Sequence, residues 1–252
     1  MRFIATLFGN TSLDTQLLTL VAEARARRTI GLIENLLRAG ANPSAEDQRA
    51  AVSQGLERQA PLHYAYDWPM PERLQLVRLL LNAGANARAK SKYGHTPLHL
   101  FAIRNYVDEM RLLLDAGANA NACNSSGHTP LHNAAGFGDS AAVGLLLDSG
   151  ADPNAYRKRG NLCDGYTPLH SAVTHLGGDI EERLEAIRLL VRSGAKLTRT
   201  QEGYRPGTPL EAAVDFQKTV LHGYNPSEED RRKSAVDMER IITLLERLAR
   251  SA

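Results

Sequence analysis

The sequence is poor in the residues that build disulfide frameworks, metal cages and membrane spans. Its 252 residues contain only two cysteines, Cys123 and Cys163, with no CxxC spacing, so neither a disulfide framework nor a zinc cage is indicated. We therefore expect a reducing, cytoplasmic compartment. No apolar run is long enough to span a membrane. The apolar stretch at residues 3–8 is also too short for a secretory signal, and we expect it to cap the core.

An excess of charge of either sign is also lacking. Thirty basic residues stand against 28 acidic ones, for a net charge of +2, so the net charge indicates no particular partner. The basic residues are 24 arginines and 6 lysines, a bias typical of a GC-rich coding sequence and hence of a bacterial source. Aromatic residues make up 6% of the chain and include one tryptophan. The composition as a whole is that of a soluble chain with an ordinary core.

What the sequence has in abundance is internal repetition. The motif Thr-Pro-Leu-His occurs at residues 96–99, 129–132 and 167–170, with weaker copies at 60–63 and 208–211. A second block, of the form Leu-Leu-x-x-Gly-Ala, follows the motif at residues 80–86, 113–119 and 146–152, with degenerate versions at 36–42 and 190–196. Because repetition at a fixed period is the signature of repeat architectures, it governs every later inference.

The two blocks contain the signals of helix starts and helix ends. Threonine before proline is an N-cap followed by the first helical position, where proline's missing N–H costs nothing. The leucine after it begins an apolar stripe that small alanines continue, which predicts closely packed helices. Gly84, Gly117 and Gly150 follow the leucine-rich helices, where a glycine can adopt the left-handed conformation. Each repeat is thus predicted to contain two helices.

Over residues 30–216 this pattern resembles the ankyrin repeat family. The resemblance implies an all-α, ankyrin-repeat solenoid of about six helix pairs with β-turn fingers and atypical capping repeats, in which no repeat can bury its apolar face alone. We expect a single domain over residues 1–252, with a last helix near 235–250 whose apolar face includes Val236. The predicted repeats are about 1–43, 44–88, 89–121, 122–154, 155–197 and 198–252.

Several patterns imitate chemical sites. His95 and His99, like His128 and His132, have the HxxxH spacing of metal ligands. The first histidine of each pair precedes the threonine cap, however, so only the second lies on a helix, and no metal is expected. The glycine-rich stretch at 136–141 lacks the preceding strand of a dinucleotide site. No catalytic triad or dyad spacing is present, so we expect no enzyme activity and no cofactor.

Aligning the repeats on the Pro-Leu pair reveals a column of residues six positions after each leucine. We call it the +6 column, and its members are Trp68, Arg104, Phe137, His175 and Phe216. In the ankyrin family this position faces the concave groove. Because aromatic residues and arginine dominate interface hot spots, the column is a candidate partner-binding row. The alternative is that the insertions after residues 68, 175 and 216 cover the groove and bury these rings.

The turns before the helices supply a second candidate row. It is rich in tyrosine and histidine, and binding through it would be sensitive to pH below about 6.5. One turn also has a basic run, residues 156–159, which leaves nucleic-acid binding as an alternative. The turn residues expected at the binding surface are Tyr93, His95, His128, Arg157, Arg159 and Tyr166.

These patterns favour a protein–protein binding module that recognises its partner through the groove and the fingertips. One form is an inhibitor or immunity protein that neutralises a toxin, and another is a host-directed effector or adaptor. Nucleic-acid binding through the basic finger belongs to a different class. The partner's identity is unknown from the sequence, and the chain is expected to be a monomer or to self-associate weakly.

Overall fold

The computed structural model describes residues 11–23, 27–47, 58–156, 158–159, 162–163, 166–175, 178–198, 207–223 and 228–251. They form twelve α-helices, which follow one another in pairs. The pairs are α1 (Leu13–Glu23) and α2 (Arg27–Arg38), α3 (Pro61–Tyr64) and α4 (Glu72–Asn82), α5 (Pro97–Ile103) and α6 (Val107–Asp115), α7 (Pro130–Phe137) and α8 (Ser140–Asp148), α9 (Pro168–Val173) and α10 (Ile180–Arg192), α11 (Pro209–Gly223) and α12 (Glu228–Ser251).

The prediction of an all-α fold is confirmed. The remaining regular structure described is a 3₁₀ turn at Ala65–Asp67 and a short antiparallel hairpin, β1 (Lys158–Arg159) with β2 (Leu162–Cys163). Each helix pair lies inside one of the predicted repeat ranges, although the repeat boundaries and the single domain stay predictions. The expected apolar cap at residues 3–8 lies outside the described residues. Among the described helices, none combines the length and the apolarity needed to cross a membrane.

The chain divides into two compact units. The first contains residues 1–101 and 108–119. Its core is built where α1 packs on α2 and α3, and where α4 packs on α2 and α3. Leucine and valine fill this core, and Leu17, Val21, Leu76, Val77 and Leu80 have no exposed surface.

The second unit contains residues 102–107 and 120–252. Its first helices form one row, in which α9 contacts α7 and α11, and its second helices form another, in which α10 contacts α8 and α12. Small residues allow the first row to pack closely, since Ala134, Ala135 and Ala172 have no exposed surface. The predicted last helix is longer than expected and packs on α10 and α11 through Met238, Ile241 and Leu245. The prediction that Val236 belongs to the apolar face of this helix was wrong, because its side chain is 56% exposed.

The histidine of the Thr-Pro-Leu-His motif bridges a helix to the next turn. In the second unit, His132 Nδ1 accepts a hydrogen bond from Thr129 N at 3.2 Å, which leaves the proton of the neutral ring on Nε2. That Nε2 then donates to Tyr166 O at 3.1 Å. His170 forms the same pair of bonds, to Thr167 N and Gly207 O. These buried rings therefore tie each helix pair to the one that follows it.

In the first unit, His63 plays the same part. Its Nδ1 accepts from Ala60 N at 3.0 Å and its Nε2 donates to His95 O at 2.9 Å. The expected structural role of the second histidine of each pair agrees with these bonds, since His99 Nδ1 also accepts from Thr96 N.

Asparagine side chains bridge the other ends of the pairs in the second unit. Asn121 Oδ1 accepts from Asp152 N at 2.7 Å, and its Nδ2 donates to Gly150 O at 2.8 Å. Asn154 repeats this arrangement one pair later with Lys196 N and Gly194 O. The glycines are those that end the second helices, and Gly150 has a left-handed φ of +81°. A carbonyl left free by the end of the helix is thereby bonded.

Two buried arginines occupy the same position in their repeats, eleven residues before the glycine that ends the helix. In the first unit, Arg73 is 6% exposed and its Nε donates to Glu109 Oε1 at 2.7 Å. In the second, Arg183 is 3% exposed and its Nη1 donates to Gly136 O at 3.1 Å and Ala172 O at 2.9 Å. Arg73 Nη1 also donates to Trp68 O at 3.2 Å, and the carboxylates of Asp139 and Asp237 act on the charge of Arg183. At this repeat position the buried charge is therefore accommodated by carbonyls and carboxylates together.

We predict that Glu109→Ala lowers the free energy of unfolding by about 3–5 kcal/mol, because it leaves the Arg73 guanidinium buried without its carboxylate. Glu185→Ala is the matched control, since the Glu185–Arg188 pair is about 40% exposed and such pairs contribute about 0–1 kcal/mol. Urea unfolding followed by circular dichroism measures both. Equal losses in the two variants would contradict the importance of the buried pair.

We also predict that the protein loses stability in mild acid. Burial lowers the pKa of His63 below its usual 6.5, so the unfolded chain binds this proton more readily than the folded one. The free energy of unfolding should be fully retained above pH 6.5 and should fall as the pH drops below it. Urea midpoints at pH 8, 7 and 6 test this, and His63→Asn should flatten the dependence. A midpoint that rises towards pH 6 would refute it.

Candidate functional site

The second unit contains a pocket of about 260 Å³ whose walls are rich in histidine. We call it the histidine pocket and define it by His128, His132, Phe137, Tyr166, Ser171 and His175, together with Asn133 and Gly136. All of these residues lie on α7, on α9 or in the segments that flank them. The lining contains no carboxylate and no lysine or arginine.

Aromatic rings stand close together around the pocket. The Phe137 and His175 ring centroids are 6.5 Å apart, and those of His128 and Tyr166 are 6.3 Å apart. Phe137 is 49% exposed although it is large and apolar. Such pairs are within the range of favourable aromatic contacts. The pocket thus offers flat, rigid rings to a molecule that approaches from solvent.

Local structure positions two of these residues. Phe137 is the last residue of α7, because Gly138 follows it with a left-handed φ of +76°. The Tyr166 hydroxyl is 2.5 Å from Thr174 Oγ1, which itself donates to His170 O. Since the Thr174 proton is used on that carbonyl, Tyr166 is the donor to Thr174. The tyrosine hydroxyl is therefore bonded to the residue that follows the end of α9.

A buried arginine, Arg183, lies next to the pocket, and the carboxylates of Asp139 and Asp237 act on its charge. Arg183 donates to Gly136 O and Ala172 O, as described above, and it packs against Gly138. Burial lowers the pKa of His175, and the charge of Arg183 lowers it further. Beside the arginine, burial and the nearby Glu182 raise the pKa of Asp139. The imidazole of His175 is therefore neutral at pH 7.

Four residues predicted from the sequence come together at the pocket: His128, Phe137, Tyr166 and His175. The +6 column contributes two of them and the turn row contributes the other two. Arg104 is exposed and Phe216 is half-buried in the same unit, but neither lines the pocket.

The remaining turn residues stand elsewhere. Tyr93 is 48% exposed and His95 is half-buried, and both belong to the first unit. Arg157 lies outside the described residues, and for Arg159 the structure describes the backbone alone, in strand β1. The basic finger therefore stays a prediction.

The placement of Trp68 in an exposed row was wrong. Its side chain is 1% exposed, and its indole Nε1 donates to Val21 O at 2.7 Å. In the other pairs with a described +6 residue, the α-helix that begins at this proline has at least six residues. Here α3 lasts one turn and is followed by the 3₁₀ turn at 65–67. The residue six positions after the leucine therefore does not face the same way as in the other pairs. Trp68 is part of the core of the first unit.

Sequence reasoning missed Ser171 and Arg183. Ser171 stands two residues after Leu169, in a repeat position that the alignment alone does not distinguish. Arg183 is one of many arginines in the chain, and its burial depends on carbonyls 11 and 47 residues away in sequence. Within the described part of the chain, no group of three or more histidine, cysteine or acidic side chains is arranged to hold a metal ion.

We predict that Phe137→Ala raises the pKa of His175 towards its usual 6.5, because it removes a ring that shields the imidazole from water. A pH titration of the histidine resonances by NMR measures the change. Val236→Ala, an exposed site on α12, is the control and should leave the titration unaltered. An unchanged or lower value in the Phe137 variant would mean that the ring does not shield His175.

The comparisons with known proteins agree with the repeat pattern. A scan against protein families matches residues 62–157 to three copies of the ankyrin repeat and residues 164–200 to a further ankyrin repeat. A search of curated proteins found no match. The family matches together cover just over half of the 252 residues and include α3 from its second residue onward and the whole of α4 to α10. The chain belongs to the ankyrin repeat family.

Proposed function

We propose that the protein is a non-catalytic binding module whose histidine pocket receives part of a protein partner. Ankyrin repeats generally mediate protein–protein interaction. The observation that supports this site is the 49% exposure of Phe137 beside a pocket walled by His128, Tyr166 and His175. Aromatic side chains that are held rigidly lose little conformational entropy on binding, which is why they dominate interface energetics.

We further propose inhibition as the form of this binding, with the partner an enzyme such as a toxin that the protein neutralises as an immunity protein. Its support is the rigidity of the surface. His132 and Tyr166 are both tied by hydrogen bonds within the second unit, and a preformed surface of this kind binds with little ordering cost. The test is to express a candidate toxin in cells with and without this protein. The toxin should kill only the cells that lack the protein.

The binding site itself is tested by affinity capture from a native lysate. We expect the wild-type chain to retain a specific protein and the double variant Phe137→Ala, His175→Ala to lose at least about tenfold of its affinity, since truncating a hot spot costs about 2 kcal/mol or more. Val236→Ala is the control and should bind like wild type. Retention of the same protein by the double variant with equal affinity would show that the pocket is not the binding site.

A further inference from the structure

The histidine pocket is lined in part by a glycine that the packing of the helices does not require. Gly136 lies within α7, where glycine is less favourable than alanine. A β-carbon built on it would lie 3.6 Å from His175 Nδ1 and 3.8 Å from the Ser171 β-carbon, which are ordinary van der Waals distances. An alanine would therefore fit in the free protein, and packing alone does not explain the glycine.

The glycine is particular to this repeat. The residues five positions after the leucine in the other copies of the motif are Asp67, Ile103, Thr174 and Asp215. Ser171 and His175 line the pocket as Gly136 does, so the missing side chain leaves space at the pocket wall. A flat group could approach the backbone of α7 closely at this point.

Rings form most of the remaining wall. The residues with rings among those that line the pocket are His128, His132, Phe137, Tyr166 and His175. Rings pair favourably when their centroids are about 4.5–7 Å apart, and such a pair gains more than burial of its area alone. A further ring placed beside Phe137 and His175 would extend the contact that these two already make at 6.5 Å.

The lining also excludes an ionised occupant. Among the described residues that line the pocket there is no aspartate, glutamate, lysine or arginine, and a charge buried without a partner is strongly unfavourable. Arg183 lies next to the pocket, but the carboxylates of Asp139 and Asp237 act on its charge, so it does not favour an anion. Cation–π contacts favour tryptophan, tyrosine and phenylalanine, whereas most of these rings are imidazoles. An uncharged occupant therefore fits best.

We propose that the histidine pocket binds an aromatic side chain of the protein partner, which lies against Gly136 beside the rings of Phe137 and His175. The volume of about 260 Å³ holds one side chain and is smaller than the pockets that take drug-sized ligands, which start at about 300 Å³. This inference rests on the proposed function, since it names the class of residue that the same site receives.

The experiment is a selection of phage-displayed random 12-residue peptides on the 252-residue protein. Peptides that also bind the Phe137→Ala variant are removed first, so that those which remain depend on the pocket. One position of the remaining peptides should be enriched in phenylalanine, tyrosine or tryptophan. Replacing that residue by leucine should weaken binding by about two- to tenfold, because leucine keeps the apolar contact and loses the pairing of rings.

Gly136→Ala tests the site from the side of the protein, because it adds one methyl group at the pocket wall. It should weaken binding of the selected peptides at least about tenfold, while the urea midpoint stays the same or rises because alanine favours the helix. Gly144→Ala is the matched control. It makes the same change within α8, where the β-carbon would lie 3.8 Å from Leu189 Cδ1, and it should bind like wild type.

Phe137→Leu provides a second measurement, since it keeps a large apolar side chain at the pocket and removes the ring. It should weaken binding of the aromatic peptides by about two- to tenfold. The loss should be smaller for the peptides in which leucine replaces the aromatic residue, because the pairing of rings is already absent there. This comparison decides the outcome even if Gly136→Ala does not fold.

The possible outcomes separate this inference from the proposed function. Pocket-dependent peptides whose enriched residue is acidic, basic or aliphatic would overturn the aromatic occupant and leave the protein-binding pocket standing, as would equal affinity for Gly136→Ala and the wild type. The absence of any peptide that depends on Phe137 would overturn both. Aromatic peptides that lose affinity for Gly136→Ala and keep it for Gly144→Ala would support both.

Discussion

The bridging imidazole is the contact on which the geometry of the second unit depends. His132 can accept from Thr129 N and donate to Tyr166 O only as a neutral ring with its proton on Nε2. The backbone at Thr129 and the backbone at Tyr166, 37 residues apart in sequence, are thereby bonded to one planar group. The second of these segments contains Tyr166, whose ring forms a wall of the histidine pocket. A bond that stabilises the fold thus also determines where a binding residue stands.

Buried charge is the second constraint, and it arises at the same repeat position in both units. Arg73 is neutralised by Glu109 at 2.7 Å, which makes its surroundings electrically balanced. Arg183 occupies the same repeat position but donates to the carbonyls of Gly136 and Ala172. The carboxylates of Asp139 and Asp237 also act on its charge, and the charge of Arg183 contributes to the lowered pKa of His175. The same residue type therefore serves stability in one unit and shapes the electrostatics of a pocket in the other.

The pocket combines features that a stable core would avoid. Phe137 leaves half of its surface in water, and the largely buried Ser171 lines the same pocket. The exposed ring is unfavourable in the free protein and would be covered by a ligand with an apolar part. The rings themselves are held by the packing of α7 on α9, so little ordering is needed when the ligand arrives. This combination is the physical basis for the binding function proposed here.

Local signals in the sequence determined the helices and their ends. Threonine before proline starts α7 and α9, glycine ends the helices with a left-handed residue, and both signals act within a few residues of where they stand. The +6 column also identified Phe137 and His175 from spacing alone, because α7 and α9 present that position in the same direction. The position of His128 and Tyr166 in the turns before the same helices predicted that they belong to the binding surface.

Only the tertiary structure decided which of these positions face solvent. Trp68 has the right spacing but is buried by a bond to Val21, 47 residues earlier, and the shortened helix before it changes its direction. Arg183 acts on the pocket through Gly136, also 47 residues away. Burial and electrostatic fields depend on segments that the fold brings together from distant parts of the chain, whereas caps and glycine turns act within a single repeat. The sequence by itself therefore determined the repeats, and the packing of those repeats decided where the site lies.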